Sequence, residues 1–271
     1  MNLENYLFTK HKNSNSLIII LEDWYIQIGQ DVELFFIGGP CAVESNEQLF
    51  ETAKEVKEKG GMCLRGGCWK PRTDPYSWQG LGNAGFDILY QAKIKYNMPI
   101  ITEVLDEDNL EYVKHKIDII QIGARNCQNF SLLKKIAKIK KPVLLKRGFG
   151  MKNDEYLLAA EYLLSEGNKN VILCERGIRY FDNVGTNLLD INAIAYNRKN
   201  TILPTIVDSS HATGNSILVS PIAKAGIAAG GDGLIIETHS KPLESMIDRN
   251  QVLSTDFFGI LTKECKKMTD R

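Results

Sequence analysis

From Leu34 onward the chain repeats one phrase: a short apolar run rich in Ile, Val and Leu, a loop carrying glycine or charge, then an amphipathic stretch. Short apolar runs bounded by turn residues read as buried strands, and the stretches between them as helices with one apolar face. The runs fall at 34–37, 62–64, 100–102, 117–122, 143–145, 171–174, 205–207 and 234–236. The spacing predicts helices over 46–59, 86–96, 106–114, 131–139, 155–165, 187–196, 217–229 and 256–267. Eight parallel strands, each followed by a helix, close most simply into a (β/α)8 TIM barrel of the α/β class. A doubly wound open sheet is the alternative, but no run leads into GxGxxG or a Walker loop.

The barrel is expected over 34–271. Residues 1–33 hold one more apolar run and the pair Trp24 and Tyr25, and are expected to form a hairpin or plug at the bottom of the barrel. A length of 271 residues suits one such barrel. Lys and Arg total 33, as do Asp and Glu, so no net field draws the chain to nucleic acid or to an anionic membrane surface. The apolar run at 17–21 is too short to span a bilayer or to act as a secretory core. The six cysteines form no CxxC pair and read as reduced thiols, which makes the cytoplasm the expected compartment.

A barrel places its chemistry at the carboxyl ends of its strands. There the chain offers Cys41, then Arg65 and Lys70, Glu103, Ala124 and Arg125, Lys146, Glu175 and Arg176, Asp208 and His211, and finally Glu237 and His239. Closure sets the last strand beside the first, so Cys41, His211 and Glu237 come from adjacent strands. Sulfur, nitrogen and oxygen donors together suit a borderline divalent ion, one of Mn, Fe, Co or Zn. A fourth ligand is expected from the loop after the last strand, where spacing leaves Asp248 and Glu244 both open. Taken singly, Cys41 reads better as a small buried hydrophobe and His211 as a satisfied polar group; their convergence reverses this. The remaining rim is cationic, through Arg65, Lys70, Arg125, Lys146 and Arg176, and implies a phosphorylated, carboxylated ligand. The loop 70–80 is long for its place, rich in donors and stiffened by two prolines, as binding loops are.

The segments GPCAVES (39–45), LRGGCWKPRTDPYSWQGLG (64–82), QIGARNCQNF (121–130), PVLLKRG (142–148), ILCERGIR (172–179), VDSSHATG (207–214) and IIETH (235–239) resemble the 3-deoxy-D-arabino-heptulosonate 7-phosphate (DAHP) synthases. The likeness is to the short-chain class that shares its barrel with 3-deoxy-D-manno-octulosonate 8-phosphate synthase. It implies condensation of phosphoenolpyruvate with erythrose 4-phosphate and water, the first step of the shikimate route, with a divalent metal and no organic cofactor. The resemblance puts the metal on Cys41, His211, Glu237 and Asp248. It puts phosphoenolpyruvate on Arg65, Lys70 and Lys146 at the carboxylate, and on the Ala124 amide, Arg125 and Arg176 at the phosphate. Arg72 and Thr73 of the KPRT segment would hold the sugar phosphate, and that segment separates this class from the octulosonate enzymes. Glu175 is counted with the substrate-binding set. Lys70 is the expected proton donor to the aldehyde oxygen, and Glu103 or Asp208 the group that positions water.

Three departures from the family pattern stand out: Asp74 for Ser, Trp78 for Phe and Ser209 for Pro. Asp74 sets a negative charge beside the proposed sugar-phosphate clamp and bears on aldose preference. The family suggests a homo-oligomer, often a tetramer. With only 33 residues ahead of the first barrel strand, direct feedback inhibition by an aromatic amino acid is not expected. The rival readings are an octulosonate synthase and a catalytically silent barrel that senses phosphoenolpyruvate.

Overall fold

A computed structural model describes residues 5–11 and 15–269. Eight strands form the barrel: β3 (Phe35–Gly39), β4 (Cys63–Arg65), β5 (Ile100–Glu103), β6 (Ile119–Ile122), β7 (Val143–Lys146), β8 (Val171–Glu175), β9 (Thr205–Val207) and β10 (Gly233–His239). They pair in parallel in chain order, and β10 closes the ring on β3, with Glu237 opposite Gly39. The helices α1 (Asn46–Glu58), α2 (Asn83–Tyr96), α3 (Glu107–Val113), α4 (Phe130–Ala137), α5 (Asn153–Ser165), α6 (Ile191–Asn200), α8 (Ser216–Ala228) and α9 (Thr255–Thr269) follow the strands in turn. Among the described residues, no helix is long and apolar enough to cross a membrane.

Alternate residues of each strand face opposite ways, and the two sets form separate cores. Phe36, Leu64, Ile100, Ile120, Val143, Leu145, Leu173, Val207 and Ile236 pack with the helices. Ile37, Cys63, Ile101, Ile119, Leu144, Ile172, Ile206 and Ile235 form the inner cluster. Before the barrel, β1 (Ile18–Leu21) and β2 (Ile26–Gly29) make an antiparallel hairpin, the expected plug. Its Ile19, Leu21 and Ile28 join the inner cluster. Full burial of such side chains stabilises by about 1.5–3 kcal/mol each.

Capping residues set several helix starts: Ser45, Asp106 and Asp190 accept backbone N–H bonds from Gln48, Asn109 and Ala193. The structure corrects the predicted helix over 187–196, which runs instead as Ile191–Asn200. Asn187 and Leu188 donate their amides to Ala212 and Ile178 across the chain, holding them in an extended segment. Two short elements escape the apolar pattern. One is α7 (Ser209–Thr213), capped by Asp208 and ended by Gly214 at φ 62; the other is β11 (Leu253–Ser254), which pairs with β10.

Candidate active site

Two residues beyond the inner apolar layer, the strands change character. Where Cys63, Ile101, Ile119, Leu144, Ile206 and Ile235 fill the barrel, the next residues of the same parity are Arg65, Glu103, Gln121, Lys146, Asp208 and Glu237. These lie at or beneath the floor of an open cavity of about 530 Å3. Its walls come from the following loops and include Arg72, Thr73, Ala124, Arg125, Arg176, Arg179, His211 and Asp248. Two glycines let this floor assemble. A Cβ on Gly39, at φ 147, would lie 2.1 Å from the carbonyl oxygen of Arg65, and one on Gly123 would lie 1.9 Å from Oε1 of Glu103.

Along one side, Cys41 Sγ, a ring nitrogen of His211 and a carboxylate oxygen of Glu237 all lie within 4.8 Å of one another. The Cys41 thiol donates to Oδ2 of Asp248 at 2.9 Å. Asp248 itself is held at φ 55, a left-handed conformation that aspartate tolerates better than most residues. Of the two carboxylates that spacing left open, the structure therefore brings Asp248 to Cys41. Lys70 Nζ donates to both the sulfur and the carbonyl of Cys41, at 3.0 and 3.1 Å. Glu237 takes Arg65 Nη1 at 2.9 Å on Oε1 and Gln251 Nε2 at 2.6 Å on Oε2, and its Oε1 is 3.1 Å from His211 Nε2.

Burial alone would raise the Glu237 carboxyl, but His211, Arg65 and Lys70 hold it well below the usual carboxylate range. Burial, reinforced by Glu237, pushes the Cys41 thiol well up. A divalent cation among these donors would deprotonate the thiol and satisfy the carboxylates. The mixed sulfur, nitrogen and oxygen set fits a transition ion better than magnesium or calcium, which prefer oxygen alone.

Cations crowd the same cavity. Arg65, Lys70, Arg72, Arg125, Lys146, Arg176 and Arg179 all line the cavity. Nη1 of Arg176 is buried without a hydrogen-bond partner, so it is free to receive an anion. Thr73 Oγ1 accepts from Arg125 Nη2 at 3.4 Å, which ties the KPRT loop to that arginine. Asp74 lines the cavity as well, accepting from the Tyr76 amide at 3.0 Å and the Ser77 hydroxyl at 2.9 Å. Trp78 packs on the Cys41, Ala42 and Ile247 cluster. Nothing in the structure explains Ser209, whose buried hydroxyl has no partner.

Two expectations are corrected here. Glu175 does not reach the cavity: it has the outward parity of Leu173, is 1% exposed, and pairs with Arg147 at 2.9 Å. Asp208 is fully buried beneath the cavity rather than lining it, and contacts Lys146 Nζ at 2.5 Å and His211 Nδ1 at 2.8 Å. Glu103 does line the cavity. Phe149, Arg179, Asn187 and Gln251 also line it, and the sequence reading missed them as site residues. Arg179 was within a quoted motif, so its charge was the available signal.

Comparison with known proteins agrees with this geometry. Residues 10–271 match the model of the DAHP synthetase I family. A phospho-2-dehydro-3-deoxyheptonate aldolase of Thermotoga maritima is 49% identical over 254 residues, covering 92% of this chain and 75% of that protein. A 2-dehydro-3-deoxyphosphooctonate aldolase of Francisella philomiragia is 28% identical over 241 residues, covering 82% and 86%. The crystal structure of a T. maritima DAHP synthase superposes with a TM-score of 0.93 at 46% identity, over 99% of this chain and 78% of that one. A truncated form of the T. maritima enzyme gives 0.89 at 43%, over 97% and 96%. By sequence and fold alike, this chain belongs to the DAHP synthetase I family.

Proposed function

We infer that this chain condenses phosphoenolpyruvate with D-erythrose 4-phosphate and water, giving 3-deoxy-D-arabino-heptulosonate 7-phosphate and phosphate, the first step of the shikimate pathway. The observation that carries this reading is one cavity lined by seven Arg and Lys side chains beside a Cys41, His211 and Glu237 donor cluster. Identity of 49% to the heptulosonate enzyme against 28% to an octulosonate enzyme favours the four-carbon sugar. A silent phosphoenolpyruvate sensor would have no physical use for the donor cluster.

Arg65, Lys70 and Lys146 hold the carboxylate of phosphoenolpyruvate, while the Ala124 amide, Arg125 and Arg176 hold its phosphate. Arg72 and Thr73 receive the phosphate of erythrose 4-phosphate. Fixing both anions sets the enol carbon against the aldehyde, and alignment of this kind is worth up to about 7–11 kcal/mol. Cys41, His211, Glu237 and Asp248 would hold a divalent transition ion, which when bound supplies Lewis-acid polarisation of the aldehyde oxygen.

As the new carbon–carbon bond forms, Lys70 donates a proton toward the aldehyde oxygen. Positive character then develops at the phosphate-bearing carbon. Glu103 places the attacking water there and takes a proton from it as the new carbon–oxygen bond forms; the bond from that carbon to the phosphate oxygen then breaks, the hydroxyl proton leaving with the phosphate as the ketone forms. Because the same groups bind anions in any such condensation, the product is the decisive readout. Incubation of metal-replete protein with phosphoenolpyruvate and either erythrose 4-phosphate or arabinose 5-phosphate, followed by mass spectrometry, is expected to yield the seven-carbon product. Exclusive formation of the eight-carbon product would favour the octulosonate reading, and binding without turnover the sensor.

A further inference from the structure

Among the described residues, one end of the cavity carries cations that form no ion pair with a carboxylate. Elsewhere at the strand ends Arg65 faces Glu237, Lys146 faces Asp208, and Arg147 faces Glu175 and Asp190. Arg125, Arg176 and Arg179 differ. Among the described residues no carboxylate forms an ion pair with any of them, and Nη1 of Arg176 is buried without a partner. All three instead stand over the ring of Phe149, their guanidinium carbons 5.4, 4.6 and 5.5 Å from its centroid.

Phe149 is itself fixed. It sits on the turn after β7, where the Met151 amide donates to Gly148 O and Arg147 donates to Met151 O from Nε and Nη2. The amide of Arg179 donates to Phe149 O at 2.8 Å, which ties the third arginine to the same turn. Three like charges around one point repel. The negative face of an aromatic ring offsets part of that repulsion, and guanidinium, being weakly hydrated, takes up such a position readily. A ligand that met three mobile arginines would have to order them on arrival; here they are assembled beforehand.

We propose that Phe149 is a positioning residue that gathers Arg125, Arg176 and Arg179 into one seat for the phosphate of phosphoenolpyruvate, with Arg179 a binding group of that seat. The inference rests on the reading that phosphoenolpyruvate occupies this end of the cavity. A leucine would fill the space of Phe149 but has no π face, whereas tryptophan has a stronger one. Arg179 is exposed, so its replacement does not disturb the core.

The test measures steady-state constants for both substrates, and the dissociation constant of inorganic phosphate by calorimetry, on the metal-replete enzyme. Phe149→Leu is expected to raise the KM for phosphoenolpyruvate and the phosphate dissociation constant by about tenfold. The KM for erythrose 4-phosphate and kcat should move much less. Phe149→Trp should restore both phosphate-linked constants, and Arg179→Gln should raise the same two. Combined with Phe149→Leu, Arg179→Gln should cost less than the product of the single effects. The proposal is overturned if Phe149→Leu leaves both constants unchanged, if Trp is as damaging as Leu, or if the change falls on the sugar phosphate. It is also overturned if Arg179→Gln binds phosphate as the parent does. Should the parent enzyme fail to consume phosphoenolpyruvate, the functional reading falls, while the phosphate titrations still decide the seat.

Discussion

Asp208 grips His211 at two points, accepting the backbone amide at 3.0 Å on Oδ1 and standing 2.8 Å from ring Nδ1 through Oδ2. The imidazole is thereby turned so that Nε2 meets Glu237 at 3.1 Å. A carboxylate behind a ligating histidine fixes its tautomer and strengthens it as a donor. Asp208→Asn is therefore expected to weaken divalent-metal binding by about 10–100-fold, read by competition with a chelating dye. Unaltered affinity would mean that the metal does not use His211.

Chelation should abolish consumption of phosphoenolpyruvate in the presence of erythrose 4-phosphate, and a divalent transition ion should restore it. Cys41→Ser should lower metal occupancy while the fold persists, because Cys41 sits in a small cluster with Ala42 and Ile247 apart from the two main cores. Full turnover after verified removal of the ion would end the Lewis-acid assignment.

Gly123→Ala tests Glu103. The added methyl would lie 1.9 Å from Oε1, so the carboxylate must leave its place in the cavity. Displacement of a reacting group by about 1 Å can cost on the order of a hundredfold in rate. A fall of that order in kcat, with the KM for phosphoenolpyruvate little changed, is the expected result. An equal loss in Glu103→Gln would separate charge from position.

Arg147→Leu gives a pH-dependent loss of stability. Burial pushes the Glu175 carboxyl up, and Arg147 is the main group acting against that. Removing Arg147 raises it further above its unfolded value. A carboxyl raised in the folded state is no burden below the unfolded pKa, near about 4.3, and costs stability as pH rises through the folded pKa. The deficit relative to the parent should therefore be small in acid and grow toward about 3–5 kcal/mol at higher pH, the usual penalty for an orphaned buried charge. Urea unfolding across about pH 5–8 checks this. A deficit independent of pH would place the damage in lost packing.

The eight apolar runs became the eight barrel strands because each run carries both the inner and the outer core of its strand, a signal local to the sequence. The donor set was legible for the same reason, since barrel closure alone makes Cys41, His211 and Glu237 neighbours. Glu175 was misplaced by a single residue: Cys174 and Arg176 share the inward parity, and the glutamate between them cannot. Asp208 was assigned by type, but its partner Lys146 lies 62 residues away, and only the folded ring shows that its oxygens are taken. Phe149, Arg179 and Gln251 gave no periodic signal because loops place them. The start of α6 was missed because long-range backbone bonds to Ile178 and Ala212 hold the residues before it.

The split along each strand has a consequence for how this molecule tolerates change. Two residues span about 6.6 Å of strand, and within that step hydrocarbon gives way to ionic groups. Ile101 supports the barrel while Glu103 lines the cavity, and the same division separates Ile235 from Glu237. Repacking the lower storey, hairpin included, is thus a route to a sturdier or a looser scaffold that leaves the working surface above it unaltered.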